Sequence, residues 1–514
     1  MAESPTRSRG VATRLLGAVE AVGNRLPDPA TLFVIVGACI LLASAWGAAA
    51  GWAVPDPRDP AASVTVRSLL DADGLRWVFT NVLRNFTGFP PLAIVLVAML
   101  GIGVAERTGL FPALLKLLVA AIPGRLLVPA VIFIGICSNA ASDAGYVVLP
   151  PLAAGVFAKA GRSPLVGIAC ATFGVASGFS ANLVVTSLDP LLSSLTEAAA
   201  RIVDPEARVL PTCNYWFMFA STFVLTGVGW FVTARIVEPR FGAAEVAAQI
   251  ATGGIVPGRE RISPAETRGL LAALAGFLLA AGGFAAMILV PGGPLTGEVP
   301  RPGTGALVPA WSEALVPMIL VLFLVPGICY GLATREIRSD RDVARRMGES
   351  MSAMGTYLVL AFFAGQAIAW FAQSNLATFV SAHGAQFVRN LGVGPGPMLV
   401  ALVLTVAVIN LLVSSASAKW ALLGPVLVPM LAQAGMRPEL VQAAYRVGDS
   451  CTNSIAPLSP YLGIILVAIR RFTPEAGLGT LIALLLPYTV VSLAVWTAML
   501  VAWNAAGWPL GFGG

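Results

Sequence analysis

The sequence predicts an all-α polytopic membrane protein of about nine transmembrane helices plus two re-entrant hairpins, built as an inverted-topology repeat. Three observations predict it. Hydrophobic residues make up 57% of the chain and charged residues only 11%, against about 25% charged in a soluble domain. Apolar runs such as "ATLFVIVGACILLASAWGAAA" and "GLLAALAGFLLAAGGFAAMILV" recur along the whole chain, each long enough for a hydrocarbon core about 30 Å thick. Two stretches, 142–174 and 416–448, superimpose without a gap.

In order, residues 1–28 are basic and amphipathic and read as a cytoplasmic leader lying at the interface. They lack a compact signal-peptide core and cleavage site. A first half, 29–240, opens with a span at about 30–53, then the loop 54–88 with "VPDPRDPAAS", then a span at about 90–109. The amphipathic piece "LFPALLKLLVAAIPGR" precedes a segment at 127–160, a broken helix at 164–195 and a span at about 213–235. A basic loop, 241–267, leads to the second half, 268–514. Its spans lie at about 268–291, 313–333 and 352–372, followed by an amphipathic piece at 375–391. A segment at 396–435, a broken helix at 438–469 and a last span at about 477–503 complete it.

Basic residues orient these elements. They gather at Arg7, Arg9, Arg14 and Arg25, at Lys116 and Arg125, at Lys159 and Arg162, in "TREIRSDRDVARR", and at Arg470 and Arg471. All fall on one side only if 127–160 and 396–435 each enter and leave by the same face. Both carry small or polar residues at their centres, "GICSNAASDAG" and "INLLVSSASAK", as re-entrant hairpins do. Non-helical backbone at that depth must be buried in protein or line a wet cavity. The N-terminus is then cytoplasmic and the C-terminus outside, in a multi-pass protein of the plasma (inner) membrane.

In the repeat, a shift of 274 residues makes nine positions identical, among them Pro151 with Pro425, Gly161 with Gly435, Pro164 with Pro438 and Gly174 with Gly448. Tyr146 falls on Trp420. The first hairpin opens from the cytoplasmic side and the second from outside, so the repeats have opposite topology, a pattern typical of secondary transporters. The stretches "GVASGFSANLVVTSLDP" and "AYRVGDSCTNSIAPLSPY" become helix breaks near the midplane. There, freed carbonyls hold cations and half-helix N-termini hold anions.

The polar residues of these segments are the candidate site. Arg446, Asp449 and Asn453 share a helix face by spacing, either as a self-neutralising Arg–Asp pair or as a cation site beside an anion-binding arginine. Asn410, Ser414 and Ser417 line one face of the second hairpin, either bonding helix to helix or offering hard oxygens. With Asp449 and Asn453, Asn410 and Ser414 form a candidate Na+ set, to which Thr452 and Ser454 add oxygens. Trp420 and Tyr146 follow the hairpin tips, as interfacial anchors or as surfaces for an aromatic substrate. Lys419 is expected to snorkel to water. Asn139 with Asp143, and Ser180 with Asn182, are the first-half counterparts, and Asp189 is a proton carrier or a loop carboxylate. Pro457 and Pro460 keep the second break open.

These segments, together with "LPDPATLFVI", "NFTGFPPLAIVLVAMLGIGVAERTGL", "SNAASDAGYVVLPPLAA" and "VSSASAKWALLGPVLVPML", resemble the aminobenzoyl-glutamate transporter (AbgT) family from about residue 20 to the end. The resemblance implies nine transmembrane helices with two hairpins, usually in a homodimer. It implies transport of p-aminobenzoyl-glutamate or export of sulfonamide antimetabolites. It also implies functional positions at Asp189, Asn410, Ser417, Trp420, Arg446, Asp449 and Pro457.

The expected function is therefore secondary active transport of an aryl-glutamate or related aryl compound, driven by a Na+ or proton gradient, with no other cofactor. The alternative is Na+-coupled import of another carboxylate. The partners are the small-molecule substrate and membrane lipid, not nucleic acid. No Walker motif GxxxxGK[ST] is present, so ATP does not drive the cycle directly. An intramembrane protease is disfavoured: "RVGD" fails the GxGD pattern, and Ser417 and Lys419 in "SSASAK" fall on different helical faces. A channel suits the broken helices but not a Trp and an Arg–Asp cluster at the midplane. The protein is read as no enzyme and has no catalytic residue. Six scattered cysteines form no metal or disulfide framework, and the single histidine, His383, reads as interfacial.

Overall fold

The computed structural model describes residues 27–56, 62–141, 144–253, 262–300 and 307–512. The leader expected over 1–28 lies almost wholly outside the described residues, as does Asp143. The chain is mainly helical, and seven of its described helices are long and apolar enough to cross a membrane. These are Pro29–Ala49, Pro90–Arg107, Tyr215–Arg240, Pro264–Leu289, Leu315–Thr334, Gly355–Gln373 and Leu478–Ala505. An eighth arises if Leu110–Ala120 and Gly124–Ala140, bent by 111°, are one span. Among the described residues the departure from all-α is two small antiparallel ribbons in the connections, Ala53–Pro55 with Ser63–Thr65 and Glu298–Pro300 with Leu307–Pro309. The loop expected at 54–88 also contains two short helices, Ala72–Thr80 and Val82–Thr87.

The remaining apolar segments are interrupted. Leu127–Cys137 passes through a 3-10 turn at Ser138–Ala141 to Ala144–Lys159. Pro395–Asn410 passes through an irregular stretch to Ala416–Gln433. Pro164–Ala176 stops, and helix resumes only at Leu188–Ala200; Pro438–Thr452 ends in the 3-10 turn Asn453–Ile455 and resumes at Tyr461–Arg470. Prolines open three of these helices, at Pro164, Pro395 and Pro438, where the missing N–H costs nothing.

The two interrupted regions pack alike. A Cβ on Gly174 would stand 2.6 Å from the Ile132 carbonyl, and one on Gly448 would stand 2.5 Å from that of Val403. Each glycine thus lets its helix press against the first arm of its own half. Gly161 and Gly435 both turn the chain with positive φ, +69° and +91°. The breaks also touch each other: the Ser177 hydroxyl lies 3.4 Å from the carbonyl of Cys451, its counterpart under the 274-residue shift, and 3.2 Å from Ser454 Oγ.

Most buried apolar residues form one large cluster around these regions. A smaller cluster, with Ala98, Ile102, Phe111, Ile319 and Tyr330, joins Pro90–Arg107 to Leu110–Ala120 and Leu315–Thr334. The four irregular stretches are therefore held inside a packed frame, where their backbone groups can be satisfied without lipid contact.

Candidate functional site

A cavity of about 420 Å³ lies where the four interruptions converge. Asn139 and Tyr146 come from the first hairpin region, and Phe179, Thr186 and Ser187 from the first break. Ser414, Ser415 and Ser417 come from the second hairpin region, and Asn453, Ser459, Pro460 and Tyr461 from the second break. Among the described residues the lining is hydroxyl, amide, aromatic and aliphatic, with Val95, Leu188 and Leu191 beside the polar groups and no charged side chain. Tyr146 and Tyr461 stack face to face, centroids 4.0 Å apart and planes 9° from parallel. Ser414 donates to the Leu458 carbonyl at 3.4 Å, and Ser415 and Ser417 hydroxyls lie 3.4 Å apart. The volume lies within the range of small-molecule sites, about 300–1,000 Å³.

Behind the second hairpin lies a closed polar cluster. Asn410 Nδ2 donates to the Asp449 carbonyl at 2.7 Å, and to Thr452 Oγ1 and Asn453 Oδ1 at 2.9 Å each. Its Oδ1 accepts from the Lys419 ammonium. Lys419 also donates to the Val413 carbonyl at 3.0 Å and pairs with Asp449 Oδ1 at 2.6 Å. Lys419 does not snorkel: its side chain is fully buried, because its helix starts at Ala416 inside the protein rather than at the membrane surface.

A second buried ion pair joins the halves. Arg446 Nη1 meets Asp189 Oδ1 at 2.6 Å, and Nη2 donates to the Ser180 carbonyl at 3.1 Å. The other carboxylate oxygen of Asp189 accepts from the Thr186 N–H at 2.7 Å and its hydroxyl at 2.9 Å. That fixes the turn that starts Leu188–Ala200. Two expectations are corrected here. Arg446 pairs with Asp189 and not with Asp449, and Asp189 stands in the first turn of the helix Leu188–Ala200 rather than in a loop. Each charge turns to a different segment, so helical spacing alone did not identify its partner. Asn182 lies beside this pair, its amide donating to the Phe179 carbonyl at 3.3 Å.

Trp420 stands apart from the cavity. It is fully buried, stacks on Tyr445 with centroids 4.4 Å apart, and donates from Nε1 to Thr196 Oγ1 at 2.9 Å. Thr196 in turn donates to Gln442 at 2.6 Å. In this conformation the indole is neither an interfacial anchor nor a stacking surface open to the cavity. Pro457 is half-buried in the break and does not line the cavity, whereas Pro460 does. His383 is exposed, its ring 4.3 Å from Phe379. Among the described residues no group of three or more His, Cys, Asp or Glu could hold a metal ion.

Sequence reasoning placed Tyr146, Ser414, Ser417 and Asn453 at one site, and the cavity brings them together. It missed Tyr461, Thr186 and Ser187. Tyr461 and Ser187 are counterparts under the repeat shift, a signal that was available. Residues 14–514 match the family model described as "AbgT putative transporter family".

The chain belongs to the AbgT family. It is 34% identical to the p-aminobenzoyl-glutamate transport protein of Escherichia coli K12, over 100% of this chain and 99% of that one. Among solved structures, the YdaH transporter of Alcanivorax borkumensis is 42% identical with a TM-score of 0.87, covering 94% of this chain and 100% of that one. MtrF of Neisseria gonorrhoeae, described as illuminating a class of antimetabolite efflux pumps, is 43% identical with a TM-score of 0.86, covering 95% and 97%. This AbgT chain is thus a multi-pass membrane transporter. Of the family positions carried over, Ser417 lines the cavity, Asn410 and Asp449 stand in the lysine cluster, and Asp189 pairs with Arg446.

Proposed function

We propose that this protein is a secondary transporter of p-aminobenzoyl-glutamate or a related aryl compound, sulfonamide antimetabolites included, driven by a Na+ or proton gradient across the inner membrane. One observation carries the reading. A cavity with an aromatic pair and a wall of hydroxyl, amide and aliphatic groups is assembled from all four chain interruptions, so any movement of a hairpin reshapes it. The names of the E. coli and gonococcal relatives support the substrate class.

In this reading the described helices and interruptions make nine spans and two re-entrant hairpins, with inverted repeats, a cytoplasmic N-terminus and a homodimeric assembly. The shared glycine packing, the paired turns at Gly161 and Gly435, and the contact of Ser177 with Cys451 support the repeat. Alternating access then follows as one repeat region moves against the frame, by an elevator or rocking motion. The substrate ring packs beside the stacked Tyr146 and Tyr461, and the amide and carboxylates meet the hydroxyls of the wall.

Uptake into proteoliposomes, with a Na+ gradient, a pH gradient or neither, tests the reading. Gradient-driven movement of radiolabelled aryl-glutamate is the expected result, and its absence under every gradient overturns it. Tyr461→Ala should weaken aryl substrates more than a dicarboxylate lacking a ring, by the roughly 0.5–1.5 kcal/mol of an aromatic contact. An equal loss for both would make the tyrosine pair a packing contact. Topology is checked by single cysteines in a cysteine-free background. Ala160→Cys and Arg437→Cys, beside the left-handed glycine turns rather than on them, should label from opposite membrane faces. Labelling from one face ends the inverted-repeat reading.

A further inference from the structure

Two of the four residues expected to hold Na+, Asn410 and Asp449, already meet a cation of the chain itself, and the Val413 carbonyl joins them. Asn410 Oδ1, the Val413 carbonyl and Asp449 Oδ1 all meet Lys419 Nζ. An ammonium has three N–H donors and no acceptor; two of them go to Asn410 and Val413, and the Asp449 carboxylate stands 2.6 Å away as its counter-charge. Of the rest of the expected set, Asn453 Oδ1 accepts from Asn410, and Ser414 lines the cavity and turns its hydroxyl to the Leu458 carbonyl. Lys419 and Asp449 are both buried, at 1% exposure each. Their charges cancel, and an added Na+ would leave an uncompensated positive charge in a region with little water. The residues present therefore do not fit Na+ while Lys419 stays.

We propose that Lys419 is the resident cation of the second hairpin and keeps Na+ out of this oxygen set. The inference rests on the transporter reading for its meaning, since it says which positive charge the moving hairpin carries. Its geometry and its test do not depend on the substrate. Lys419 is a charge-bearing and positioning residue here. It ties the hairpin helix Ala416–Gln433 to Asn410 before the tip and to Asp449 in the broken helix. The hairpin and the second break should then move as one body, with the charge carried on the protein.

Equilibrium binding of radioactive Na+ to the purified full chain in detergent tests this, with choline replacing Na+ at constant ionic strength. Lys419→Ala removes the ammonium and frees the carboxylate. It should gain about one saturable Na+ per chain over wild type, with a Na+-specific rise in Tm because the ion binds only the folded state. Lys419→Gln, one bond shorter, keeps a hydrogen-bonding head without the charge and serves if the alanine variant does not fold; the same gain is expected. Adding Asp449→Asn to either variant should remove the gain. Equal Na+ binding by wild type and a folded Lys419 variant overturns the proposal, as does a gain that survives Asp449→Asn. Failure of aryl-glutamate transport leaves this result untouched, so the two readings fail separately.

Discussion

Arg446→Ala is expected to lower thermal stability sharply and to abolish transport. The guanidinium is almost fully buried, and its 2.6 Å pair with Asp189 joins segments 257 residues apart. Removing one member strands the other charge without a partner, at a cost of about 3–5 kcal/mol. The Ser180 carbonyl also loses its donor. Asp189→Asn should act in the same direction, since it leaves Arg446 charged and frees the Thr186 turn. The double variant Asp189→Asn with Arg446→Gln has no buried charge and should be less destabilised than the sum of the singles. The pair also ties the first break to the second broken helix, segments that the proposed cycle moves, so the double variant should be stable and inactive. Thermal unfolding in detergent and proteoliposome uptake, measured on the same preparations, separate the two effects. An unchanged Tm for Arg446→Ala would show that the pair contributes nothing to stability. A fully active double variant would make Arg446 purely structural.

Trp420→Ala should be almost as costly, for a different reason. The indole is completely buried, packed on Tyr445 and hydrogen-bonded to Thr196. Its truncation leaves a large cavity in a close-packed interior, costing about 3–5 kcal/mol. Transport should fall equally for substrates with and without an aromatic ring, because the residue supports the hairpin helix rather than touching the cavity. Trp420→Phe keeps most of the volume and loses the bond to Thr196, worth about 1 kcal/mol. It should unfold only slightly earlier and retain transport. If Trp420→Ala keeps its Tm and discriminates against aryl substrates alone, the indole leaves its buried seat to meet the substrate.

Much of the frame was legible because a bilayer makes apolar length itself a signal. Runs such as 30–53, 268–291 and 477–503 correspond to the long helices Pro29–Ala49, Pro264–Leu289 and Leu478–Ala505. Gly, Ser, Asn and Pro clusters marked the places where helices stop, since these residues weaken or end helices wherever they stand. The hydroxyls and the tyrosine near the hairpin tips were legible for the same local reason. Ser414, Ser417, Asn453 and Tyr146 share one cavity.

The pairing of charges was not. The three-residue spacing of Arg446 and Asp449 suggested a pair. Helical spacing brings side chains near each other only when nothing outside the helix competes, and Pro438–Thr452 is buried on every side. Arg446 reaches Asp189 across the first break, and Asp449 reaches Lys419 from the second hairpin. Lys419 was read as a surface-seeking chain, a rule for helix ends near water; its helix begins in the interior. Trp420 likewise took its role from the neighbours that enclose it, Tyr445 and Thr196. By itself the sequence determined that this is a polytopic membrane protein, where its long helices run, and which stretches are too polar or too rich in glycine and proline to continue as helix. Composition and helix propensity are local quantities. The tertiary structure decided which buried charge neutralises which and which polar groups face a cavity, because in a low-dielectric interior each charge is stabilised by whichever opposite charge the fold brings within hydrogen-bonding distance.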